Sequence, residues 1–573
     1  MKSIKMKKMA RCPIITVFLM MLMTVSAYGN VAGAQVSEAQ ALAVQEESSK
    51  IFPILYITTP QSPFEDRESW QNGNITLTSD YEEFSFEEVS ARVRGRGNST
   101  WQNGPDKRPL RFRFEEARSV MGSEYVAKDW ILLANHFDRS LLRNESAFYL
   151  AHLMGRMDFV PSIQKVHLYV NEEYMGVYLL TDERDVNLGR LEIEWNPEPS
   201  LSGFFLELDA RAFQEGTENE TFVAVNGLAY DIRFPSTDWR STEHVAYIKS
   251  YLEKVSLAIR SQNFSEIQKF IDMDTFIDFY LIQELFKNSD VHSLSVFMYV
   301  NGTGDDRRLY MGPIWDFDTA AGNREQTLGN GPENIYVGVA NYWYRNLMNV
   351  PEFSDAVAVR WNEIKDKEIA QTIDYIQNTA NYYQAEFEQN FERHQIMGVQ
   401  SVPSSEETLA IESFTGQVKY LTNWLESRTL WMDDFFNDRI PEFDPLWALV
   451  EYYTQEGKVN ISVNNEQKNL NIPIIIMQDR TMLPLSELKN VFKMDIDYNA
   501  DTQVVIMNRG NDAISHKVGS SIFTINGTNL DGYVPSITAK EEVFIPLRVV
   551  ADALKYEVQW QARTLTVQLF DKS

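Results

Sequence analysis

The chain has 573 residues, 44% of them hydrophobic and 23% charged, with 81 acidic side chains, 53 basic ones and one cysteine. Its length calls for several domains with sizeable cores, and its composition is that of a folded protein. A formal charge of −28 argues against nucleic acid and against an anionic membrane surface as partners, because phosphates are held by clustered lysine and arginine. The single thiol excludes a disulfide framework and a multi-cysteine zinc site.

Residues 1–34 carry five basic side chains (Lys2, Lys5, Lys7, Lys8, Arg11) and no acidic one. An apolar run follows at 14–25, shorter than the roughly 20 residues that cross a bilayer, and small residues end it at Ala32-Gly33-Ala34. The segment reads as a secretory signal peptide. Cleavage after Ala34 removes Cys12 and, with the five basic residues gone, takes the formal charge from −28 to −33. No second run is long enough to span a membrane, so the expectation is a secreted or cell-wall-associated protein with no membrane contact after cleavage.

Residues 35–50 read as a mobile linker. Residues 51–114 look β-rich: 52–58 is an apolar β-former run, and Leu110-Arg-Phe-Arg-Phe114 alternates with period two. A helix is expected over 138–153 with Asp138 as N-cap, a hairpin over 165–180 turning at Asn171-Glu172-Glu173, and a strand at 204–208. Helical periodicity runs over 244–285, a short strand over 309–314, and helices over 341–438 with a break at 401–405.

The tail repeats itself. Ile461 pairs with Phe523, Met482 with Phe544, Asp497 with Gln559 and Thr502 with Thr564, always 62 residues apart. Each copy reads as strand, strand, a helix led by Pro-Leu (485–492; 547–554) and a hairpin, which predicts two tandem α+β units over 450–570.

Three clusters carry chemistry. Arg94-Gly95-Arg96-Gly97-Asn98-Ser-Thr-Trp101, followed by Lys107, offers glycines that let backbone N–H groups approach a phosphate and a lysine to neutralise it. Asn288-Ser-Asp290-Val-His292-Ser-Leu-Ser295 puts a carboxylate on a loop after a helix, where it can accept a proton from a hydroxyl. Gly312-Pro-Ile-Trp315-Asp316-Phe317-Asp318 ends in two aspartates suited to a hard divalent cation. An extended backbone would place both on one face, and the flanking Trp315 and Phe317 favour a buried setting. Phosphate cradle, lysine, base and metal aspartate stand in the order a phosphoryl-transfer site needs.

On these motifs, with Trp130–Gly155, Val166–Asp185, SGFFLELD, NSDVHSLSVFMY and Gly312–Asn323, the chain over roughly 50–435 resembles the spore coat protein H (CotH) kinase family of atypical kinases. The resemblance implies an α+β fold: a two-lobed, protein-kinase-like domain, here bounded at 51–438, followed by the small tandem-repeat domain. It implies a phosphotransferase that uses ATP with Mg2+ or Mn2+ on Ser/Thr hydroxyls of secreted, cell-surface or spore-coat proteins. By position, Asp290 resembles the catalytic-loop aspartate, Asp316 the metal aspartate with Asp318 as second ligand, and Lys107, Gly95, Gly97 and Asn98 the nucleotide contacts. The lysine's partner is open between Glu145 and Glu183. Arg143 matches the family motif, as a carboxylate partner or as packing. Ser295 stands where an ordinary kinase loop has the asparagine for a second metal, and Asp-Phe-Asp replaces Asp-Phe-Gly. These departures leave two alternatives. One is a catalytically weak or inactive kinase fold that binds at the cell envelope or spore surface. The other is a kinase fold that transfers AMP or activates a carboxylate. The tail is similar to the copper amine oxidase N-terminal-like repeat of secreted stalks. With His516 its one histidine, no copper site is visible, and the similarity implies spacing or cell-wall attachment.

Overall fold

The computed structural model describes residues 51–573, apart from 63, 105, 124, 188, 325–329, 401–403, 440–444, 456–457, 478–479, 531–533, 562–563 and 573. The leader, the linker and residues 401–403 of the expected break at 401–405 therefore lie outside the described residues. Among those described, no helix is long and apolar enough to cross a membrane.

Alternating strands build the first body. β1 (Ile54–Thr58), β2 (Gln71–Thr78), β3 (Phe86–Gly95), β4 (Leu110–Arg118) and β5 (Ala127–Leu133) are followed by β6 (Gln164–Val170) and β7 (Glu173–Asp182). They close into a barrel in the order β1-β2-β3-β4-β5-β7-β6, sealed by parallel pairing of β1 with β6. Closure removes free edges. Period two sends Leu110, Phe112 and Phe114 inward against Val93, Trp130, Leu168 and Tyr178, which leaves Arg111 and Arg113 on the outer face. The expected hairpin is β6–β7. Its turn is the two residues Asn171 and Glu172, at φ 48° and 68°, the left-handed pair that suits the strand twist.

The expected helix over 138–153 begins five residues late, as α1 (Arg143–Met154). Leu141 sits at φ 59°, which breaks the first turn. The Asp138 carboxylate instead accepts from Ser140 N (2.9 Å) and Arg143 N (2.8 Å) in a buried turn.

The second body is an antiparallel sheet in the order β12-β11-β8-β10-β9, formed by β8 (Phe204–Leu208), β9 (Phe222–Val225), β10 (Leu228–Phe234), β11 (Val296–Asn301) and β12 (Arg308–Met311). The helical stretch from 244 is divided between α2 (Thr242–Arg260) and α3 (Met273–Leu285), with the single turn Phe264–Ile267 between them. α3 is buried on every side, as the floor of a core is. α4 (Pro351–Ile364) and α7 (Phe414–Phe436) pack against it, while α5 (Ala370–Tyr382) lies against α1 and α7, and α6 (Gln384–Arg393) against β7 of the barrel. The strand expected over 309–314 stops at Met311, so the Asp-Phe-Asp motif lies on a loop and not at a strand end.

α8 (Pro445–Gln455) carries buried Leu449, Tyr452 and Tyr453 into the core shared with the tail, and Tyr453 Oη accepts from Arg345 Nη1 at 2.9 Å. The 62-residue repeat appears in three dimensions as β14 (Arg480–Pro484) and β15 (Glu542–Pro546), which pair antiparallel, each leading into a helix. The copies are not separate beads, however. β13 (Asn460–Val463) of the first pairs parallel with β16 (Thr566–Asp571) of the second, so the two interlock into one unit. His516 is buried, bonded to Ser536 Oγ (2.6 Å) and Ile522 O (3.0 Å) and stacked on Phe523, a packing role.

Candidate active site

A cleft of about 770 Å3 separates the barrel from the second sheet. Its barrel wall is arginine-rich: Arg67, Arg94, Arg96, Arg111 and Arg184 line it with Gly97, Asn98 and Ser99, offset by Glu68, Glu183 and Asp185. Its sheet wall is acidic, with Glu207, Asp209, Asp231, Asp316 and Asp318, relieved by Arg211 and Arg233. The strand register puts Asp231, Glu207 and Phe297 in one row across β10, β8 and β11.

Asp290 sits in a 3-10 turn, Ser289–His292, that follows α3. Burial and the neighbouring Asp316 push its carboxyl up to about 6, against the pull of Arg324, whose Nη1 lies 3.3 Å from Asp290 Oδ1. The loop is held from three sides. Asn341 donates to Val291 O (2.8 Å), Tyr336 Oη to Ser289 O (3.1 Å), and Ala210 N to Ser293 O (2.8 Å).

Asp316 has φ 69°, a left-handed conformation that costs a non-glycine residue and persists where its surroundings enforce it. Two asparagines do the enforcing. Asn288 accepts from Asp290 N and donates to Asp316 O, both at 3.1 Å, and so couples the two loops. Asn144, at the cleft's edge on α1, accepts from Phe317 N at 2.6 Å. Arg143 is fully buried; it pairs with Asp138 at 2.6 Å and donates to Ala320 O (3.0 Å) and Ala321 O (3.3 Å). Both sequence readings of Arg143 thus hold in one side chain: it pairs with a carboxylate and it fastens α1 to the loop after the aspartates. Trp315 and Phe317 are buried as expected. Asp316 and Asp318 both face the cleft without an extended backbone between them. Burial, with Asp316, Asp138 and Asp290 adding to it, holds Asp318 well above the usual carboxylate range. Ser295, at φ 54°, donates to Asp316 Oδ2 at 2.9 Å.

The structure places two of the expected nucleotide contacts outside the cleft. Lys107 is completely buried and outside the cleft, its ammonium over the Tyr178 ring at 5.1 Å with no hydrogen-bond partner among the described residues. Burial lowers it to about 7, and it in turn helps burial hold His136 and His394 near 4. Gly95 is also off the cleft: a Cβ there would collide with the Trp101 indole, so its bareness serves packing. Gly97, at φ 86°, and Asn98 do line the cleft. Neither proposed glutamate pairs with Lys107. Glu145 is bound to Lys165 Nζ and Tyr375 Oη, each at 2.6 Å. Glu183 lies in the cleft beside Arg111, 3.0 Å away. Burial raises Glu183, and Arg111, Arg184 and Arg96 outweigh it and bring it to about 2.

Sequence reasoning missed that Arg111. On the strand that leads from the Gly-rich turn, it pairs with both Glu183 and Asp129. The alternation of 110–114 was the signal, since inward phenylalanines oblige the intervening arginines to face out. Arg184 and Arg96 stack on Trp315, at 4.2 and 5.7 Å, and so place positive charge next to Asp316.

Among the described residues no group of three or more His, Cys, Asp or Glu stands together as a ready-made metal cage. Mg2+ is ordinarily held by one or two carboxylates with substrate phosphates completing its shell. Asp316 and the uncompensated Asp318 fit that chemistry. The family described as CotH kinase protein matches residues 93–432, and the copper amine oxidase N-terminal domain matches 462–569. No curated protein matches the chain.

Proposed function

Because the chain belongs to the CotH kinase protein family, we propose that it is an exported protein kinase that moves the γ-phosphoryl group of ATP to Ser/Thr hydroxyls of secreted, cell-surface or spore-coat proteins. The observation that carries this reading is the joining of Asp290 by Asn288 to Asp316, which lines a cleft whose opposite wall is arginine-rich. Catalysis of phosphoryl transfer is mostly positioning and charge neutralisation. Arg96, Arg111 and Arg184 take the phosphate-facing part expected of Lys107, and Glu183 orients Arg111. Asp290 holds the acceptor hydroxyl and takes its proton. Asp316 and Asp318 would hold Mg2+ or Mn2+, which supplies neutralisation of charge on the transferring group. The interlocked repeats serve attachment to the cell wall.

Ser295 favours a second reading. Its hydroxyl occupies Asp316 Oδ2 where a kinase loop would offer a further metal ligand, which suits a chain that binds at the envelope or spore surface with weak or no turnover. The chain incubated with ATP–Mg2+ and spore-coat or secreted proteins separates the readings. Serine or threonine phosphate on the acceptor supports the kinase. An AMP adduct in the mass spectrum replaces it with nucleotidyl transfer. Absence of ATP–Mg2+ binding in calorimetry, with cell-wall binding retained, replaces it with the binding protein.

A further inference from the structure

The loop that carries Asp290 continues Val-His-Ser-Leu-Ser-Val, and its own cation, Lys287, is turned away, its Nζ donating to Gly331 O (3.1 Å) and Glu333 O (2.9 Å). The cation beside the carboxylate comes from elsewhere: Arg324, eight residues beyond Asp316, with Nη1 3.3 Å from Asp290 Oδ1. The other donor to this carboxylate, Ser289 Oγ at 3.5 Å, reaches the same oxygen. Among the described residues, none donates a hydrogen bond to Oδ2. His292 turns away to Ser289 O (2.8 Å). Arg211 and Asp316 act on Asp290 through charge alone, Arg211 being engaged with Asp209 at 2.6 Å and Asp316 with Ser295.

The backbone that delivers Arg324 is stiff. Ala320 and Ala321 carbonyls accept from the buried Arg143, Ala321 N donates to Phe286 O at 2.7 Å, and Asn323 Nδ2 spans Asp318 O (2.7 Å) and Phe137 O (2.8 Å). On the far side Ser405 N donates to Asn323 O at 3.1 Å and Ser405 Oγ to Gly322 O at 2.7 Å. The guanidinium itself is partly exposed, so the side chain contributes little to the core that holds its backbone.

We propose that Arg324 is a positioning residue for the base: it fixes Asp290 by Oδ1 and leaves Oδ2 directed to the acceptor hydroxyl. The proposal rests on the kinase reading. In the step it serves, the acceptor oxygen forms a bond to the γ-phosphorus, the bond from that phosphorus to the β,γ-bridging oxygen breaks, ADP leaves with that electron pair, and the hydroxyl proton passes to Asp290 Oδ2. An arginine supplied by the chain itself is a recurrent part of phosphoryl-transfer sites. Here its partner is the base.

The test is steady-state phosphorylation of an acceptor by wild type, Arg324→Gln and Arg324→Lys, with ATP–Mg2+ affinity measured by calorimetry. Misplacing a reacting group by about 1 Å costs up to on the order of 100-fold, so R324Q is expected to lose 10- to 100-fold in kcat. Its KM for ATP, its nucleotide affinity and its melting temperature should stay at wild-type values, and R324K should recover most of the loss. In an Asp290→Asn background R324Q should add nothing, because the arginine acts through the carboxylate. A kcat for R324Q within twofold of wild type overturns the proposal, as does a full further loss in the D290N background or a defect confined to ATP affinity. A wild-type chain that transfers no phosphate overturns the kinase reading itself, and this inference with it.

Discussion

Two like-charged clusters lie close to the Gly-rich turn and meet opposite fates. Asp290, Asp316 and Asp318 crowd three carboxylates together, the last two lining the cleft, and burial with mutual repulsion raises Asp290 and Asp318. Lys107, His136 and His394 crowd three bases inside the protein, and burial lowers all three. Both clusters are pushed toward neutrality by the same physics, so perturbation alone does not identify a site. The difference is access and an absent counter-charge. Asp316 and Asp318 open on a cleft that a cation and a polyanion can enter, whereas Lys107 is sealed, with the Tyr178 face for company and the more distant Asp138 as its carboxylate. A deprotonated lysine meets its environment's demands with no ligand; the aspartates do not.

The sharpest way to break this contrast is to neutralise one member of each cluster. Asp290→Asn and Asp316→Asn are expected to lower kcat by about 10²- to 10⁴-fold, the usual worth of a general base, in a phosphotransfer assay. Lys107→Met fills the same volume with an apolar chain and should leave kcat within about threefold. A K107M loss as large as that of D316N would return Lys107 to the phosphates and end the distinction.

The pH dependence sharpens it further, because the two clusters titrate in opposite senses. As a base, Asp290 must be ionised, so kcat/KM should fall on acidification through an apparent pKa of about 6, well above an ordinary aspartate. Lys107 speaks through stability. Its folded pKa of about 7 lies below its ordinary 10.5, so between those values the unfolded chain binds the extra proton and stability rises with pH. Below pH 7 both states are protonated and the penalty for burying the charge is fully present. Urea unfolding of wild type relative to K107M should therefore show the wild type gaining about 1.4 kcal/mol per pH unit over that window. A flat difference would mean that the lysine is charged and paired in solution.

What was legible in the sequence divides along the same line. The order of motifs pointed to Asp290, Asp316 and Asp318 as one group, and the structure does bring the three carboxylates within electrostatic reach of one another, with Asp316 and Asp318 lining the cleft. The repeat, the β6–β7 hairpin and the inward phenylalanines of β4 were legible from spacing. Lys107 was misplaced because a sequence shows a lysine near glycines and not the barrel that closes over it. Arg111 was passed over because outward arginines on a strand look like solvated charge, and the Glu183 that turns one into a cleft residue comes 72 positions later. The late start of α1 had no signal either: the left-handed Leu141 is imposed by the buried Asp138–Arg143 pair, a tertiary demand that outweighs helix propensity.

The smallest effect divides the two glycines of the Arg-Gly-Arg-Gly turn by the same rule of access. Gly95 ends β3 with the Trp101 indole pressed against its α-carbon, on the barrel side. Gly97 opens on the cleft in a left-handed conformation that a side chain strains, and its Cβ would meet only the Pro109 ring, at 3.1 Å. Gly95→Ala must displace a packed ring, at about 1–3 kcal/mol as overpacking costs, while ATP–Mg2+ affinity of the folded fraction is unchanged. Gly97→Ala should cost about 1 kcal/mol through its backbone and weaken ATP–Mg2+ in calorimetry, because its backbone lies where a phosphate would approach. Equal weakening by both substitutions would show that the turn acts as one phosphate cradle and that the Trp101 packing is incidental. A stability loss at Gly95 with a binding loss at Gly97 alone puts the boundary between scaffold and site between two residues of a single turn.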